Sequence, residues 1–414
     1  MRRLGLILAL ATALLAVAPA DASLRSRPTD APLVYVAGDT APNELQVFDD
    51  YAAPSRAFSS ARAVVHYVVL GADAPPLNDD DADGVPDYVE RVGAAADRAI
   101  EYYERRGFAR IDTDTGGPDG RPDVYVTLFA PGYLGVALPA ARTDGGAFVA
   151  VSNRLDPSVG RSFCSLDGTV AHELFHLVQF SYFGPADDPP LPAWVLEGSA
   201  AALEGRVYHE LEDTVTGLQL RHWFDDSDRS LVEQTYGSQL LWRYLDERVP
   251  RLLPAYLAQL AVPQPPRSAA AALGATYARL TGRPFAPAFG RFAAWALDEH
   301  GVRIRPRATV EPQTRTVARV APLAIHYLRL ARSVRSVAID VTRGRAEVTL
   351  TYRLESAYAG NPPSTLRLRP VMVGRDLVYE VPPALRRTPR FGLATLVVAN
   401  GHGSPTAGYS LRAR

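Results

Sequence analysis

Lysine is absent from the 414-residue chain, and cysteine occurs only once, at Cys164. A single cysteine cannot form a disulfide within the chain, so stability must come from apolar burial and from any bound metal. The 44 basic residues, all of them arginine, face 45 acidic residues, and the net charge is −1. A chain this close to neutrality has no overall positive field, which argues against a nucleic-acid-binding protein.

Long apolar runs are scarce apart from one at the N-terminus. Met1–Arg3 carry two positive charges, residues 4–18 are apolar, and small residues surround Ala20 and Ala22. This layout predicts a secretory signal peptide over residues 1–22 that is cleaved from the mature protein. The alternative is a membrane anchor, although the run is shorter than the about 20 residues that a spanning helix needs. We therefore expect a secreted protein, extracellular or periplasmic, with no membrane span in its mature form.

The rest of the chain is long enough for two or three domains. Residues 23–60 are rich in Pro, Ala, Ser and Asp and predict an extended lead-in. Residues 61–190 mix strand patterns with helical ones, which predicts an α/β subdomain. Residues 191–302 have helical patterns throughout. Residues 303–414 contain short strand patterns separated by Gly, Pro and Asn, which predicts a β-sandwich.

The individual elements follow from periodicities of 2 or 3.6 residues. Strands are predicted at 63–70, 123–129, 147–152, 323–330, 334–341, 347–354, 364–373 and 394–400. Helices are predicted at 88–107, 166–183, 194–211, 231–247, 251–261, 268–281 and 285–299.

Two histidines one helical turn apart give the strongest chemical signal. His172 and His176 lie four residues apart in Ala-His-Glu-Leu-Phe-His, so both imidazoles can reach one metal ion from the same helix face. Glu173 is rotated by about 100° from His172, which places its carboxylate beside the metal. Apolar neighbours predict that this helix is buried, and buried ionisable groups are costly unless they are paired or bound to metal. The alternative is a helix whose two histidines are satisfied by hydrogen bonds alone.

A second segment offers a third ligand. Catalytic zinc usually has three protein ligands and one open position. Glu197 follows His176 by about twenty residues and begins a helix whose small residues, 198–201, permit close packing. Glu204 lies two turns further on and is a candidate partner for a ligating histidine. The alternatives are a carboxylate favoured by the helix dipole for Glu197 and a solvated side chain for Glu204.

The H-E-x-x-H motif, followed about twenty residues later by W-x-x-E-G-x-A, resembles the gluzincin metallopeptidases, which include the thermolysin-like enzymes. The resemblance is tight over residues 165–205. Over residues 60–300 it is looser and extends to a little-characterised group of secreted bacterial metalloproteases. It implies an α+β zincin-like catalytic domain with a mixed sheet, an active-site helix and a helical subdomain, followed here by the all-β sandwich. The implied function is a zinc-dependent endopeptidase that acts on proteins or peptides.

The resemblance also assigns roles to individual residues. It implies that His172, His176 and Glu197 bind Zn²⁺ and that Glu173 is the general base. Thermolysin-like enzymes carry an Asp four residues after the ligand Glu, where this chain has Ala201.

An oxyanion formed during peptide hydrolysis needs a second donor besides the metal. Tyr236 is the candidate, with His209 and His222 as the other possibilities, and a structural tyrosine at a helix start is an equally good reading of Tyr236. We also expect strand 147–152 to form a sheet edge that pairs with an extended substrate.

An acidic loop precedes the first predicted helix and fits the calcium-loop template. Its ligand positions 1, 3, 5, 7, 9 and 12 are Asp79, Asp81, Asp83, Val85 (through its carbonyl), Asp87 and Glu90. Gly84 occupies the turn position between them. The sequence therefore predicts a structural Ca²⁺ site, with a solvated acidic turn as the alternative.

Two other classes of function remain open at this level. One is a non-catalytic surface-binding or adhesin protein built on a zincin scaffold, although such a protein has no need of the intact Glu173. The other is a zinc hydrolase that acts on non-peptide substrates.

Overall fold

The computed structural model describes residues 53–111, 120–129, 133–138, 147–157, 165–183, 191–208, 221–262, 268–300, 303–354, 364–383, 385, 392–403 and 405–414. The predicted signal peptide lies outside these residues. The chain forms two compact units. The first comprises Met1–Pro190 and Ala200–Gly217, and the second comprises Leu191–Ser199 and Leu218–Arg414.

The first unit is built on a mixed five-stranded sheet. Its strands are β1 (Ser55–Ser59), β2 (Val64–Val68), β3 (Asp123–Thr127), β4 (Gly135–Leu138) and β5 (Phe148–Ser152). They follow the order β1-β2-β3-β5-β4. The central pairs β2–β3 and β3–β5 are parallel, whereas β1 and β4 add antiparallel strands at the two ends.

Two helices pack on one face of this sheet. Helix α1 (Asp87–Arg106) contacts β1 and β2, helix α2 (Leu166–Phe180) contacts β4 and β5, and the two helices contact each other. Gly107 ends α1 with a left-handed φ of 81°, a conformation that costs glycine little. The opposite face of the sheet carries a second apolar cluster, whose buried members are Val68, Tyr125, Phe129, Val136, Leu138, Phe148 and Ala150.

The ends of the sheet differ from the sequence expectation. Strand 147–152 was expected at an edge, and this prediction is wrong because β5 lies between β3 and β4. Strand β4 has only four residues, which is too short to give a clear alternating pattern. At the other end, β1 falls within the predicted lead-in 23–60 and pairs with β2.

The second unit begins with helices. They are α3 (Ala193–Val207, which continues into the first unit), α4 (Arg221–Asp225), α5 (Gln239–Arg248), α6 (Leu252–Ala261), α7 (Ala269–Thr281) and α8 (Phe285–His300). The helix predicted over 231–247 starts only at Gln239, because Leu231–Glu233 and Tyr236–Ser238 form two short 3₁₀ turns instead. None of the described helices combines the length and the apolar character needed to cross a bilayer.

Two five-stranded sheets complete the second unit. Their strands are β6 (Ala308–Val310), β7 (Arg315–Val320), β8 (Ala324–Leu330), β9 (Ser336–Arg343), β10 (Glu347–Leu354), β11 (Ser364–Leu368), β12 (Val371–Val373), β13 (Asp376–Glu380), β14 (Gly392–Asn400) and β15 (Ala407–Ala413). The orders are β11-β10-β14-β8-β6 and β12-β13-β9-β15-β7. All pairs are antiparallel except β6–β8. One apolar core contains residues of both sheets, such as Leu328 and Leu396 from the first and Ile339 and Leu411 from the second.

The predicted order of an α+β region followed by an all-β sandwich is therefore present in the described residues. Helix α8 contacts β10 and β14 of the sandwich. The Tyr327 hydroxyl donates to the Ala293 carbonyl of α8 (2.9 Å), and the Arg353 guanidinium donates to its Leu297 carbonyl (2.8 Å). Helices and sandwich thus share contacts within one compact unit.

Candidate metal centre

Helix α2 carries the H-E-x-x-H motif and is buried along its whole length. Ser165 caps its first turn, and its side chain accepts a hydrogen bond from the Gly168 amide (3.5 Å). In the same turn Asp167 pairs with Arg91 of α1, whose Nε donates at 2.7 Å. Further along, the Tyr103 hydroxyl donates to the Ala171 carbonyl (2.7 Å). These contacts hold α2 against α1 at the first turn of α2 and at Ala171, the residue directly before the motif.

The structure brings the three predicted ligands together. His172, His176 and Glu197 each offer one ligand atom, and these atoms all lie within 4.8 Å of one another. All three side chains are buried, with exposures of 1%, 2% and 4%. A tetrahedral zinc ion with bonds of about 2.0–2.2 Å separates its donor atoms by roughly 3.4 Å, so the three atoms are close enough to be candidates for binding one ion.

Each imidazole has an acceptor near its Nδ1 atom, and the acceptor beside His176 is within hydrogen-bond distance. Nδ1 of His172 lies 3.4 Å from Oε2 of Glu204, the residue proposed for this role from the sequence. Nδ1 of His176 lies 2.8 Å from Oε1 of Gln179. Because an amide oxygen only accepts, Nδ1 of His176 carries the proton and Nε2 keeps its lone pair for a metal. Ligating histidines usually make such a second hydrogen bond.

Gln179 was missed in the sequence reading. It is completely buried and lies three residues after His176 on the same helix. That spacing brings two side chains onto neighbouring positions of a helix surface. The signal was therefore present in the sequence as a polar amide on an otherwise apolar stretch.

Glu197 is held by a hydroxyl from the segment that precedes α5. The Tyr236 hydroxyl donates to Oε2 of Glu197 at 3.0 Å. Oε1, the other carboxylate oxygen of Glu197, does not take part in this hydrogen bond. The sequence predicts that Tyr236 donates to an oxyanion or has a structural role; in the structure its hydroxyl contacts the candidate third ligand, Glu197. Residue 209 and the side chain of residue 222, the two other candidates, lie outside the described part of the chain, as does Cys164.

The start of α3 is packed tightly against the same segment. Ser238 Oγ and Trp242 Nε1 both donate to the Trp194 carbonyl, at 2.7 and 2.9 Å, and the two indole rings stack with centroids 5.3 Å apart. A Cβ placed on Gly198 would lie 1.8 Å from Ser238 Oγ. Glycine at this position therefore permits the close approach that brings Tyr236 to its neighbour Glu197.

The donor set fits zinc. Two neutral imidazoles and one carboxylate are a common catalytic zinc set, which leaves a fourth position open. The burial of all three groups supplies the physical reason for a bound cation, since buried ionisable groups need a compensating partner. Glu173 is fully buried and directly follows His172, the first candidate ligand, in the sequence.

The acidic loop before α1 gathers three of its predicted ligands. Carboxylate oxygens of Asp79, Asp81 and Asp83 lie within 4.8 Å of one another. Gly84 takes φ 93°, and its amide donates to Oδ2 of Asp79 (2.9 Å). Desolvation raises the pKa of Glu90, and the neighbouring aspartates, Asp83 first, raise it further. The loop therefore concentrates negative charge at the start of α1.

Comparisons with known proteins add no relatives. A search of protein-family models found no match to this chain, and a search of curated proteins found none either.

Replacing Gln179 by Leu tests the orienting role of its amide. We expect the dissociation constant for Zn²⁺ to rise by about 10- to 100-fold, because the His176 ring loses the hydrogen bond that fixes its orientation. Competition with a chromophoric chelator measures this constant. The matched control is Ser181→Ala, which removes a hydrogen bond to the Leu177 carbonyl at the end of the same helix. Equal zinc affinity in the Gln179 variant and the wild type would refute the role.

Proposed function

We propose that this protein is a zinc-dependent peptidase. The observation that carries the proposal is the buried group of His172, His176 and Glu197, with Glu173 directly after the first ligand. The spacing of these residues along the chain supports a gluzincin-type enzyme with a zincin-like catalytic domain. The choice of peptides as substrates rests on that resemblance. Secretion through the N-terminal signal peptide is part of the same proposal.

The metal ligands and Glu173 have different roles in the proposed reaction. When bound, zinc lowers the pKa of water towards about 7 and polarises a carbonyl group. The carboxylate of Glu173 takes the proton of the attacking water and delivers it to the leaving amine. His172 and His176 cannot take this part, because their Nδ1 atoms face Glu204 and Gln179 and their other nitrogens serve the metal. Glu173 is therefore the general base of the proposed reaction.

Glu173→Gln separates the base from the ligands. The substitution preserves the size of the side chain but removes its basicity. We expect the variant to fold and to bind zinc like the wild type, while peptide cleavage falls by about 10²- to 10⁴-fold. Digestion of casein or of a peptide library, followed by mass spectrometry, measures the activity, and metal analysis measures the zinc.

The possible outcomes distinguish the classes of function. Full activity in the Gln variant would refute the role of Glu173. A wild type that binds zinc but cleaves no peptide would point to a non-peptide hydrolase or to a binding protein. A panel of ester and amide substrates then separates these two cases.

We also propose two roles for Tyr236. In the resting site its hydroxyl supports Glu197 through the 3.0 Å hydrogen bond. During the reaction the same hydroxyl, already beside the metal ligands, donates to the oxyanion. The two roles differ in how they respond to zinc, because added metal compensates for a weakened ligand and does not replace a missing donor.

Tyr236→Phe is therefore assayed at increasing zinc concentrations. We expect weaker zinc binding and, at saturating zinc, a kcat still reduced by about 10²-fold. Tyr256→Phe is the matched control, because it loses a buried hydroxyl that donates to the Ala269 carbonyl in the same unit. Recovery of the wild-type kcat by zinc alone would leave Tyr236 only its role beside Glu197.

For the acidic loop we propose Ca²⁺ with a structural role. The carboxylates of three neighbouring aspartates repel one another, and a cation removes this repulsion in the loop that precedes α1. Extracellular calcium reaches the millimolar concentrations at which single loops of this kind bind. Calcium would accordingly stabilise the folded chain without taking part in hydrolysis.

Asp81→Ala tests this assignment, with Asp80→Ala as its control, since position 2 of the template supplies no ligand. We expect millimolar calcium to raise the Tm of the wild type and of the Asp80 variant, and to have a much smaller effect on the Asp81 variant. Calorimetry in calcium and in chelator measures the difference. Equal calcium responses in all three proteins would rule out a ligand role for Asp81.

A further inference from the structure

The first residue of β4 lies directly on the side chain of Glu173. A Cβ placed on Gly135 would be 2.8 Å from Cγ of Glu173, a distance that real Cβ atoms essentially never show. It would also be 3.1 Å from Cγ2 of Thr169, one turn earlier on α2, and 3.1 Å from the Ala150 carbonyl oxygen. Backbone and α2 side chains therefore occupy all the space that a side chain at position 135 would need.

Strand β4 cannot easily retreat from α2 to make this space. Gly135 pairs with Val151 in the antiparallel register of β4 and β5. Next to this pair, the Ser152 amide donates to the Leu134 carbonyl at 2.8 Å. A shift of β4 away from the helix would break these backbone hydrogen bonds. The contact with Glu173 is thus fixed from the strand side.

The helix side is fixed as well. Thr169 and Glu173 belong to a helix that is buried along its whole length and tied to α1 through Asp167 and the Ala171 carbonyl. The backbone of such a helix cannot shift without disturbing its close-packed neighbours. The part of the contact that can yield is the Glu173 side chain beyond Cβ.

We infer that Gly135 is a positioning residue for Glu173: the absence of a side chain at the start of β4 lets the strand backbone hold the carboxylate of the base beside the metal ligands. This inference rests on the proposed function, in which Glu173 is the general base. A methyl group at position 135 pushes Cγ of Glu173 aside while it leaves His172, His176 and Glu197 in place. The expected defect is therefore in the chemical step.

The variant for this test is Gly135→Ala, assayed in the full-length zinc-loaded protein. We expect unchanged zinc content, a KM close to that of the wild type and a kcat reduced by about tenfold to a hundredfold, because misplacement of a reacting group by about 1 Å has effects of this size. The control is Gly93→Ala on α1, whose Cβ would lie 2.7 Å from the Phe58 ring of β1, at the end of the sheet opposite β4. A loss of kcat in Gly135→Ala alone supports the inference, and a wild-type kcat overturns it.

A double-mutant cycle tests the contact without any assay of activity. Glu173→Ala removes the Cγ that the new methyl group meets. We therefore expect Gly135→Ala to lower the Tm less in the Glu173→Ala background than in the wild type. Equal losses of Tm in both backgrounds would show that positions 135 and 173 are uncoupled and would overturn the inference.

The cycle also covers two other results. If Gly135→Ala alone does not fold, recovery of folding in the double variant supports the contact, and failure of the double variant as well overturns it. If the wild type cleaves no peptide, the proposed function fails. In that case the cycle still decides whether Gly135 positions the Glu173 side chain.

Discussion

The candidate site depends on the burial of helix α2. Two imidazoles and a carboxylate have been removed from water together, and the free energy of that transfer has to be offset by hydrogen bonds, opposite charge or a metal. Glu204 and Gln179 face the outer nitrogens of the two imidazoles. The other nitrogens of the two imidazoles and the carboxylate of Glu197 lie close together. A divalent cation is the partner that this arrangement favours.

Close approach of the backbone shapes the site from two directions. At Gly198 the absence of a side chain brings the segment 235–238 onto the start of α3, where Tyr236 reaches Glu197. At Gly135 the same absence brings a strand onto Glu173. In both places a glycine lies next to a polar group of the site. Its missing side chain makes room for a neighbouring segment, and neither glycine has a positive φ.

Much of the site could be predicted because helical spacing is a local property. That His172 and His176 share one helix face follows from their spacing of four residues. That Glu197 joins them follows from a motif that spans about thirty residues. Gln179 obeys the same helical geometry and was open to the same argument. Gly135 was not, because its partner lies far along the chain and only the packing of β4 brings them together. The inner position of β5 was missed for a related reason, since a four-residue strand carries too little pattern to reveal the neighbour that covers its edge.

Arg353 and Tyr327 attach helix α8 to the sandwich through two main-chain carbonyls of the helix, and Phe289 and Phe292 of α8 are completely buried. The sandwich is thus part of the packing that surrounds α8. A shortened protein that stops near residue 303 would expose aromatic side chains and lose the donors that α8 relies on. A fragment meant to keep α8 folded therefore has to retain the sandwich strands that carry these contacts, β8 and β10 among them.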